Sequence, residues 1–350
     1  MAKVLMKGAE ALAQAAISGG CRYFFGYPIT PQNEVPEYMS AHLPEVGGVY
    51  VQGESEVASI NMVLGAAATG AQVMTSSSSP GISLMSEGIS YLAGNELPCV
   101  IMNVMRGGPG LGGILPSQAD YSQAVHGGGN GDYHLVVLAP GDLQEAVDLV
   151  QHAWDWAFKY MNPVMVLADG FMGQMMEPVE IKERTAEKGD WQKWAAGCFR
   201  ERGNKRTLFH SLFLAAEPLE EHNIKLQAKY ARMQEDALAE NYMTDDADLV
   251  ITAFGTTARI AKTAIMHLRA DGIKVGLVRP ITLFPFPVKA FEALPASVKN
   301  ILDVEMNMGQ MLPDVKLAMD CRIPVTFYGR CGGSAPSVEE IEEECRKLIA

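Results

Sequence analysis

Two carboxylates and one guanidinium stand out in the first 120 residues, because hydroxyls, glycines and apolar side chains surround them. Glu56 directly precedes the apolar stretch Val57-Ala-Ser-Ile-Asn-Met-Val-Leu-Gly65. A carboxylate at a helix start is favoured by the helix dipole, which accounts for its presence without any chemistry. That stretch is so small and apolar that its start should be buried, and a buried carboxylate needs a partner or a proton. A carboxylate held in that way can act as a general acid or base. Glu54 is the competing candidate two residues earlier. Arg106 is the only lysine or arginine between Arg22 and Lys159. Its planar fork suits a substrate carboxylate through two parallel hydrogen bonds, and equally suits backbone carbonyls of the surrounding glycine loops. Thr30, within Tyr27-Pro-Ile-Thr-Pro31, and the run Ser76-Ser-Ser-Ser-Pro-Gly81 add hydroxyls and a glycine.

Other motifs carry less. Gly108, Gly110 and Gly113 form a G-x-G-x-x-G after an expected strand. A dinucleotide fingerprint must open a helix that faces a pyrophosphate, whereas Pro109 and Ile114-Leu-Pro116 interrupt any helix here. A nicotinamide-dependent dehydrogenase is therefore the weakest of the enzyme alternatives. His126 and His134 flank Gly127-Gly-Gly-Asn-Gly-Asp132 with no second ligand group at metal spacing, so both are expected to be structural. The six cysteines (Cys21, Cys99, Cys198, Cys321, Cys331, Cys345) contain no C-x-x-C pair. No iron–sulfur cluster or zinc is expected on this chain, and free thiols fit a reducing, cytoplasmic compartment.

These residues lie in a belt of unusual composition. Only Glu54, Glu56, Glu87, Glu96, Arg106 and Asp120 are charged from Val51 to Asp120, although 20% of the whole chain is charged. Asn61, Gln72, Pro80 and the serine run leave no stretch of about 20 apolar residues, so the belt is not a membrane span. The N-terminus lacks the apolar core of a signal peptide. The net charge of −13 argues against nucleic-acid or anionic-membrane partners. Much of that acidity lies at residues 217–248 and 336–350, which carry −9 between them.

The elements that must position the candidates follow from periodicity. Strands are expected at 23–25, 49–52, 72–75, 99–105, 135–138 and 164–167, with helices at 8–18, 56–68, 83–92 and 143–160 between most of them. Short apolar strands separated by helices imply a parallel sheet covered on both faces. From residue 248 onward the scheme repeats, with strands at 249–254, 274–278, 300–304 and 325–328. Ser337-Val-Glu-Glu340 is a capping box for the last helix. Between the two regions a charged amphipathic helix opens at Glu217, with Leu219, Leu226, Tyr230, Met233 and Ala237 on one face. Domain boundaries are expected at 1–184, 185–245 and 246–350. Ligands of open parallel sheets bind beyond the carboxyl ends of strands, where Thr30, Glu56, the serine run and Arg106 would share one edge.

Taken together, Tyr27-Pro-Ile-Thr-Pro31, Glu54-Ser-Glu56, the Ser-Pro-Gly turn, Arg106-Gly-Gly-Pro-Gly-Leu-Gly and Gly127-Gly-Gly-Asn-Gly-Asp-Tyr133 resemble the α subunit of 2-oxoacid:ferredoxin oxidoreductases. The resemblance extends to Glu305-Met-Asn-Met-Gly-Gln310. The loop Gly107-Gly-Pro-Gly-Leu-Gly is more similar to the 2-oxoisovalerate group than to the 2-oxoglutarate group, which remains the alternative. Asn130 departs from the family, which commonly has His there, so no proton-transfer role is assigned to that loop.

The resemblance implies an α/β fold with two parallel-sheet domains, a thiamine diphosphate pyrimidine-binding domain and a transketolase C-terminal-like domain. It implies thiamine diphosphate shared with a β subunit that holds Mg²⁺ and the diphosphate. Consistently, the chain has no Gly-Asp-Gly, and Ala168-Asp-Gly170 is the nearest fragment. Pro28, Ile29, Thr30, Glu56, Ser78, Ser79 and Gly81 are implied in cofactor binding. Glu56 is placed against the pyrimidine nitrogen, assisting proton removal from the thiazolium carbon. Thr30 and Arg106 are implied to hold the oxoacid. Electrons would leave through 4Fe-4S clusters on partner chains, with separate γ and ferredoxin-like δ subunits, ferredoxin as acceptor and coenzyme A as co-substrate. The reaction would be oxidative decarboxylation of a 2-oxoacid to acyl-CoA and CO₂. A non-catalytic scaffold subunit is the alternative from a different class.

Overall fold

The computed structural model describes residues 3–349. The chain runs through β1 (Val4–Lys7), α1 (Gly8–Ser18), β2 (Tyr23–Gly26), α2 (Glu34–His42) and β3 (Val49–Gln52). It continues with α3 (Glu56–Ala68), β4 (Val73–Ser77), α4 (Ser79–Gly94), β5 (Val100–Met105) and the short α5 (Tyr121–Val125). Next come β6 (Val136–Leu138), α6 (Leu143–Tyr160), β7 (Val164–Asp169), α7 (Gly170–Gln174) and β8 (Met176–Val179). A largely irregular stretch leads to α8 (Ala216–Met233) and β9 (Ala239–Tyr242). The remainder is β10 (Leu249–Thr252), α9 (Gly255–Ala270), β11 (Val275–Pro280), β12 (Thr282–Phe284) and α10 (Val288–Glu292), then β13 (Asn300–Glu305), α11 (Leu312–Met319), β14 (Val325–Gly329) and α12 (Val338–Ile349).

The larger sheet has the order β12-β6-β7-β5-β4-β2-β3. Its strands are parallel apart from β12, which runs antiparallel to β6. Every residue of β4, β5, β6 and β7 is buried, which is why these strands read as apolar runs instead of alternating patterns. The second sheet, β14-β13-β10-β11-β9, is parallel except where β9 pairs with β11. The α/β class with parallel sheets is thus observed. Two pairings lie outside what periodicity reveals. β12 comes from the second half of the chain yet closes the edge of the first sheet, and β9 lies inside the charged 185–245 stretch yet extends the second. Both are only three or four residues long, too short for a period to register.

Two helices differ from expectation. α4 starts at Ser79, four residues before the expected start, because Pro80 fits a first turn where its missing N–H removes no bond. Ser79 and Gly81 therefore ride on the helix itself, with Ser78 at its N-cap. In α8, Leu226, Tyr230 and Met233 are buried as expected, but Leu219 remains exposed and Ala237 lies beyond the helix. The capping box of α12 forms as expected: Glu340 N–H donates to Ser337 Oγ at 3.1 Å, and Ser337 N–H donates to Glu340 Oε2 at 2.8 Å.

The two sheets meet at Gln118, which is completely buried. Its amide donates to the Phe254 carbonyl at 2.9 Å and accepts from Thr257 Oγ1 at 2.7 Å, while its own backbone N–H donates to Met306 O.

Candidate functional site

Glu56 occupies the first turn of α3, whose N-cap Ser55 accepts from Ala58 N–H at 3.2 Å. That cap turns the chain sharply after β3, so that Glu56 points inward while Glu54 points to solvent. Glu56 is 6% exposed and Glu54 is exposed. Burial thus separates two carboxylates that spacing alone left in competition. Among the described residues the Glu56 carboxylate has no hydrogen-bond or ion-pair partner. Across from it, α3 packs on α4 through Gly81. A Cβ at position 81 would lie 2.7 Å from Glu56 Oε1 and 2.0 Å from Ser77 Oγ, so only glycine lets these two side chains approach so closely.

Arg106, at the end of β5, is buried and already engaged. Its Nη1 donates to the Thr30 carbonyl at 2.9 Å and its Nη2 to the Leu111 carbonyl at 3.1 Å, while Nε is buried without a partner. The guanidinium therefore clamps the loop after β2 to the glycine loop. Arg106 N–H donates to Ser79 Oγ at 3.0 Å, and Ser79 Oγ donates to Asp120 Oδ2 at 2.6 Å. Asn103 Nδ2 also donates to Asp120 Oδ2, at 2.9 Å. Burial pushes the Asp120 carboxyl above its ordinary value, against the lowering effect of Ser79, Asn103 and Arg106. Motif reading missed Asp120, Asn103 and Gln32. Asp120 was visible only as a lone acid in a charge-poor belt, and Gln32 only as a neighbour of Thr30.

The same edge holds a concentration of buried polar atoms without partners: Gln32 Nε2, Thr75 Oγ1, Ser77 Oγ, Ser78 Oγ and Arg106 Nε. Buried polar groups normally find a partner, and a group of orphans at strand ends marks where another molecule supplies it. Beside the unpartnered Glu56 carboxylate, they fit the polar edge of a flat heteroaromatic ring. Thr30, Glu56, Ser79, Gly81 and Arg106 are thus connected through direct contacts or one intervening residue. Ser78 joins them through its carbonyl, which accepts from Gly81 N–H at 2.7 Å. Pro28 is exposed and Ile29 half-buried on the loop before Thr30, and neither is tied to the others by a side-chain hydrogen bond.

A cavity of about 630 Å³ opens beside Thr30, walled by Glu34, Glu37, Ile114, Leu115 and Phe171. The glycine loop that forms part of it is irregular and opens no helix; Gly110 and Gly112 adopt positive φ. The other singled-out residues have structural roles. His134 stacks on Phe284 at 4.2 Å, His126 Nε2 lies 3.0 Å from Asp314 Oδ2, and Asn130 accepts from Ser90. Asp169 caps α7 through Phe171 and Met172 N–H and accepts from Thr256. Among the described residues no group of three His, Cys, Asp or Glu side chains could hold a metal, and no helix is long and apolar enough to cross a membrane.

Residues 14–245 match the family described as pyruvate flavodoxin/ferredoxin oxidoreductase, thiamine diphosphate-binding, and residues 247–341 match pyruvate:ferredoxin oxidoreductase core domain II. The chain is 48% identical to a protein of Methanothermobacter marburgensis named ketoisovalerate oxidoreductase subunit VorB, covering 99% of this chain and 98% of that one. It is 37% identical to the 2-oxoglutarate synthase subunit KorA of Archaeoglobus fulgidus, covering 97% and 99%. Among solved structures, 2-oxoglutarate:ferredoxin oxidoreductase from Magnetococcus marinus, with 2-oxoglutarate, coenzyme A and succinyl-CoA bound, superposes with a TM-score of 0.87 at 29% identity. That match covers 99% of this chain and 65% of the other. A split-gene transketolase shares the fold at a TM-score of 0.62 and 14% identity, covering 98% of each chain.

Proposed function

The chain belongs to the 2-oxoacid:ferredoxin oxidoreductase family, and from that premise we propose that it is the subunit binding the pyrimidine side of thiamine diphosphate in a complex that oxidatively decarboxylates a branched-chain 2-oxoacid. The observation that carries this reading is the Glu56 carboxylate, buried without a protein partner against Gly81. Thiamine diphosphate, when bound, supplies the electron sink into which a 2-oxoacid loses carbon dioxide. The chain's own contribution is positional. Glu56 holds or moves a proton at a ring nitrogen presented to it, with Gly81, Ser77 and Ser78 shaping the surface beside it. Arg106 fixes the Thr30 loop, so that Thr30 meets the substrate in one orientation. Pro28, Ile29 and Ser79 complete the lining. The branched-chain substrate rests on the similarity to the ketoisovalerate subunit and on the uncharged glycine loop.

The diphosphate, Mg²⁺ and the 4Fe-4S clusters are assigned to partner subunits (β, and separate γ and δ), with coenzyme A as co-substrate and ferredoxin as acceptor. The names of the relatives as subunits support this division. We read residues 1–184 and 246–350 as the pyrimidine-binding and transketolase C-terminal-like domains, with 185–245 as the charged linker. Six unpaired thiols support a cytoplasmic location.

The test compares two variants in the assembled complex. Glu56→Gln should slow hydrogen–deuterium exchange at the thiazolium carbon and turnover by on the order of 10²–10⁴. Glu54→Gln should stay within about threefold of wild type, as befits an exposed surface substitution. Unchanged exchange in Glu56→Gln would refute the assignment.

A further inference from the structure

The family includes relatives named for a branched-chain oxoacid and others named for 2-oxoglutarate, which differ by a distal carboxylate. The cavity beside Thr30 bears directly on that choice. One wall is apolar, made by Ile114, Leu115 and Phe171, which are 59%, 57% and 40% exposed. The glycine loop carries the first two, and Arg106 anchors that loop through the Leu111 carbonyl. Helix α2 also lines the cavity, through Glu34 and Glu37 of its first turn. No lysine or arginine lines the space among the described residues. Two cations bonded to its lining residues are already committed. Lys7 donates to Glu34 at 2.5 Å, and Arg106 is bound to two carbonyls. Burial alone would raise the Glu34 carboxyl, but the bond from Lys7 and the fields around it hold it below its ordinary value. Glu37 is exposed, and its carboxylate has no hydrogen-bond or ion-pair partner among the described residues.

A 2-oxoacid held at Thr30 would extend its side chain into this space. We propose that the cavity accepts an aliphatic side chain on Ile114, Leu115 and Phe171, and turns away a distal carboxylate through the uncompensated charge of Glu37. Like charges that meet without a cation oppose binding, whereas a branched alkyl group gains by covering exposed apolar surface. This assignment rests on the placement of Thr30 at the substrate, and it adds residues that decide which substrate is taken.

The experiment uses the assembled complex and measures kcat/KM for 2-oxoglutarate and for 2-oxoisovalerate. Glu37→Lys replaces an anion with a cation at an exposed helix position. The ratio of 2-oxoglutarate to 2-oxoisovalerate efficiency should rise by on the order of tenfold or more, mainly through a lower KM for 2-oxoglutarate. Ile114→Lys puts a cation on the apolar part of the lining without touching Glu37, and should shift the ratio in the same direction. An unchanged ratio in both variants, in complexes that still decarboxylate 2-oxoisovalerate, would overturn the proposal. A wild-type complex that turns over no 2-oxoacid would sink it at the earlier step, by removing the function on which it depends.

Discussion

Arg106 sits where two roles would demand the same residue. A guanidinium can hold a substrate carboxylate, or it can tie together the loops that form the pocket, and here two of its nitrogens are spent on the carbonyls of Thr30 and Leu111. Its Nε is buried without a partner, and each Nη keeps a second N–H beyond the one bonded to a carbonyl. Arg106→Ala would strand two carbonyls at a cost of about 1–3 kcal/mol. The expected result is a raised KM accompanied by faster amide exchange across residues 28–31 and 107–115. A raised KM with unchanged exchange would show that the arginine acts on the substrate alone. Much of this residue-scale picture was legible beforehand, because Glu56 and Arg106 are conspicuous in a charge-poor belt and Thr30 belongs to the Tyr27-Pro-Ile-Thr-Pro31 motif. The distinction between Glu54 and Glu56 was not, since it depends on how the Ser55 cap turns the chain.

At the scale of elements, α8 shows how a charged helix is anchored. Leu226, Tyr230 and Met233 bury one face, and Lys229 is buried with them, 4% exposed. It donates to the Met161 carbonyl at 3.2 Å and lies 3.6 Å from Glu96. Burial lowers the Lys229 ammonium from 10.5 to about 8, only partly offset by Glu96. Between those two values the unfolded chain binds more protons than the folded one, so this group makes stability rise with pH there. Below about 8 the lysine is charged in both states and the burial cost is fully present. Lys229→Met should therefore raise the melting temperature relative to wild type near pH 7, and the gap should close as pH climbs from 8 toward 10.5. A gap independent of pH would mean that packing, not charge, sets the effect. Periodicity revealed α8 and its buried stripe, but Lys229 was invisible as a buried group. A lysine between apolar positions usually extends its head to water.

Across the whole molecule, Gln118 joins the two sheets through Phe254, Thr257 and Met306. Gln118→Ala would leave several buried backbone and side-chain groups unpaired, with an expected loss of about 2–4 kcal/mol. Calorimetry should show a lower midpoint, or two transitions if the halves uncouple; an unshifted single transition would remove Gln118 from this role. The acidity of −13 lies largely in 217–248 and 336–350, away from the site. The charge-poor belt instead supplies buried strands together with the exposed apolar side chains Val57, Met62, Leu84 and Leu111. The chain by itself determined its parallel α/β class, the capping box of the last helix and the short set of residues able to do chemistry, because these depend on spacings of a few residues. Only the tertiary structure decided that Arg106 meets Thr30 across 76 positions, that β12 crosses to the first sheet, and that Glu37 and Ile114 line one cavity. Strand order and loop packing bring those residues together, and both are long-range outcomes that no local pattern encodes.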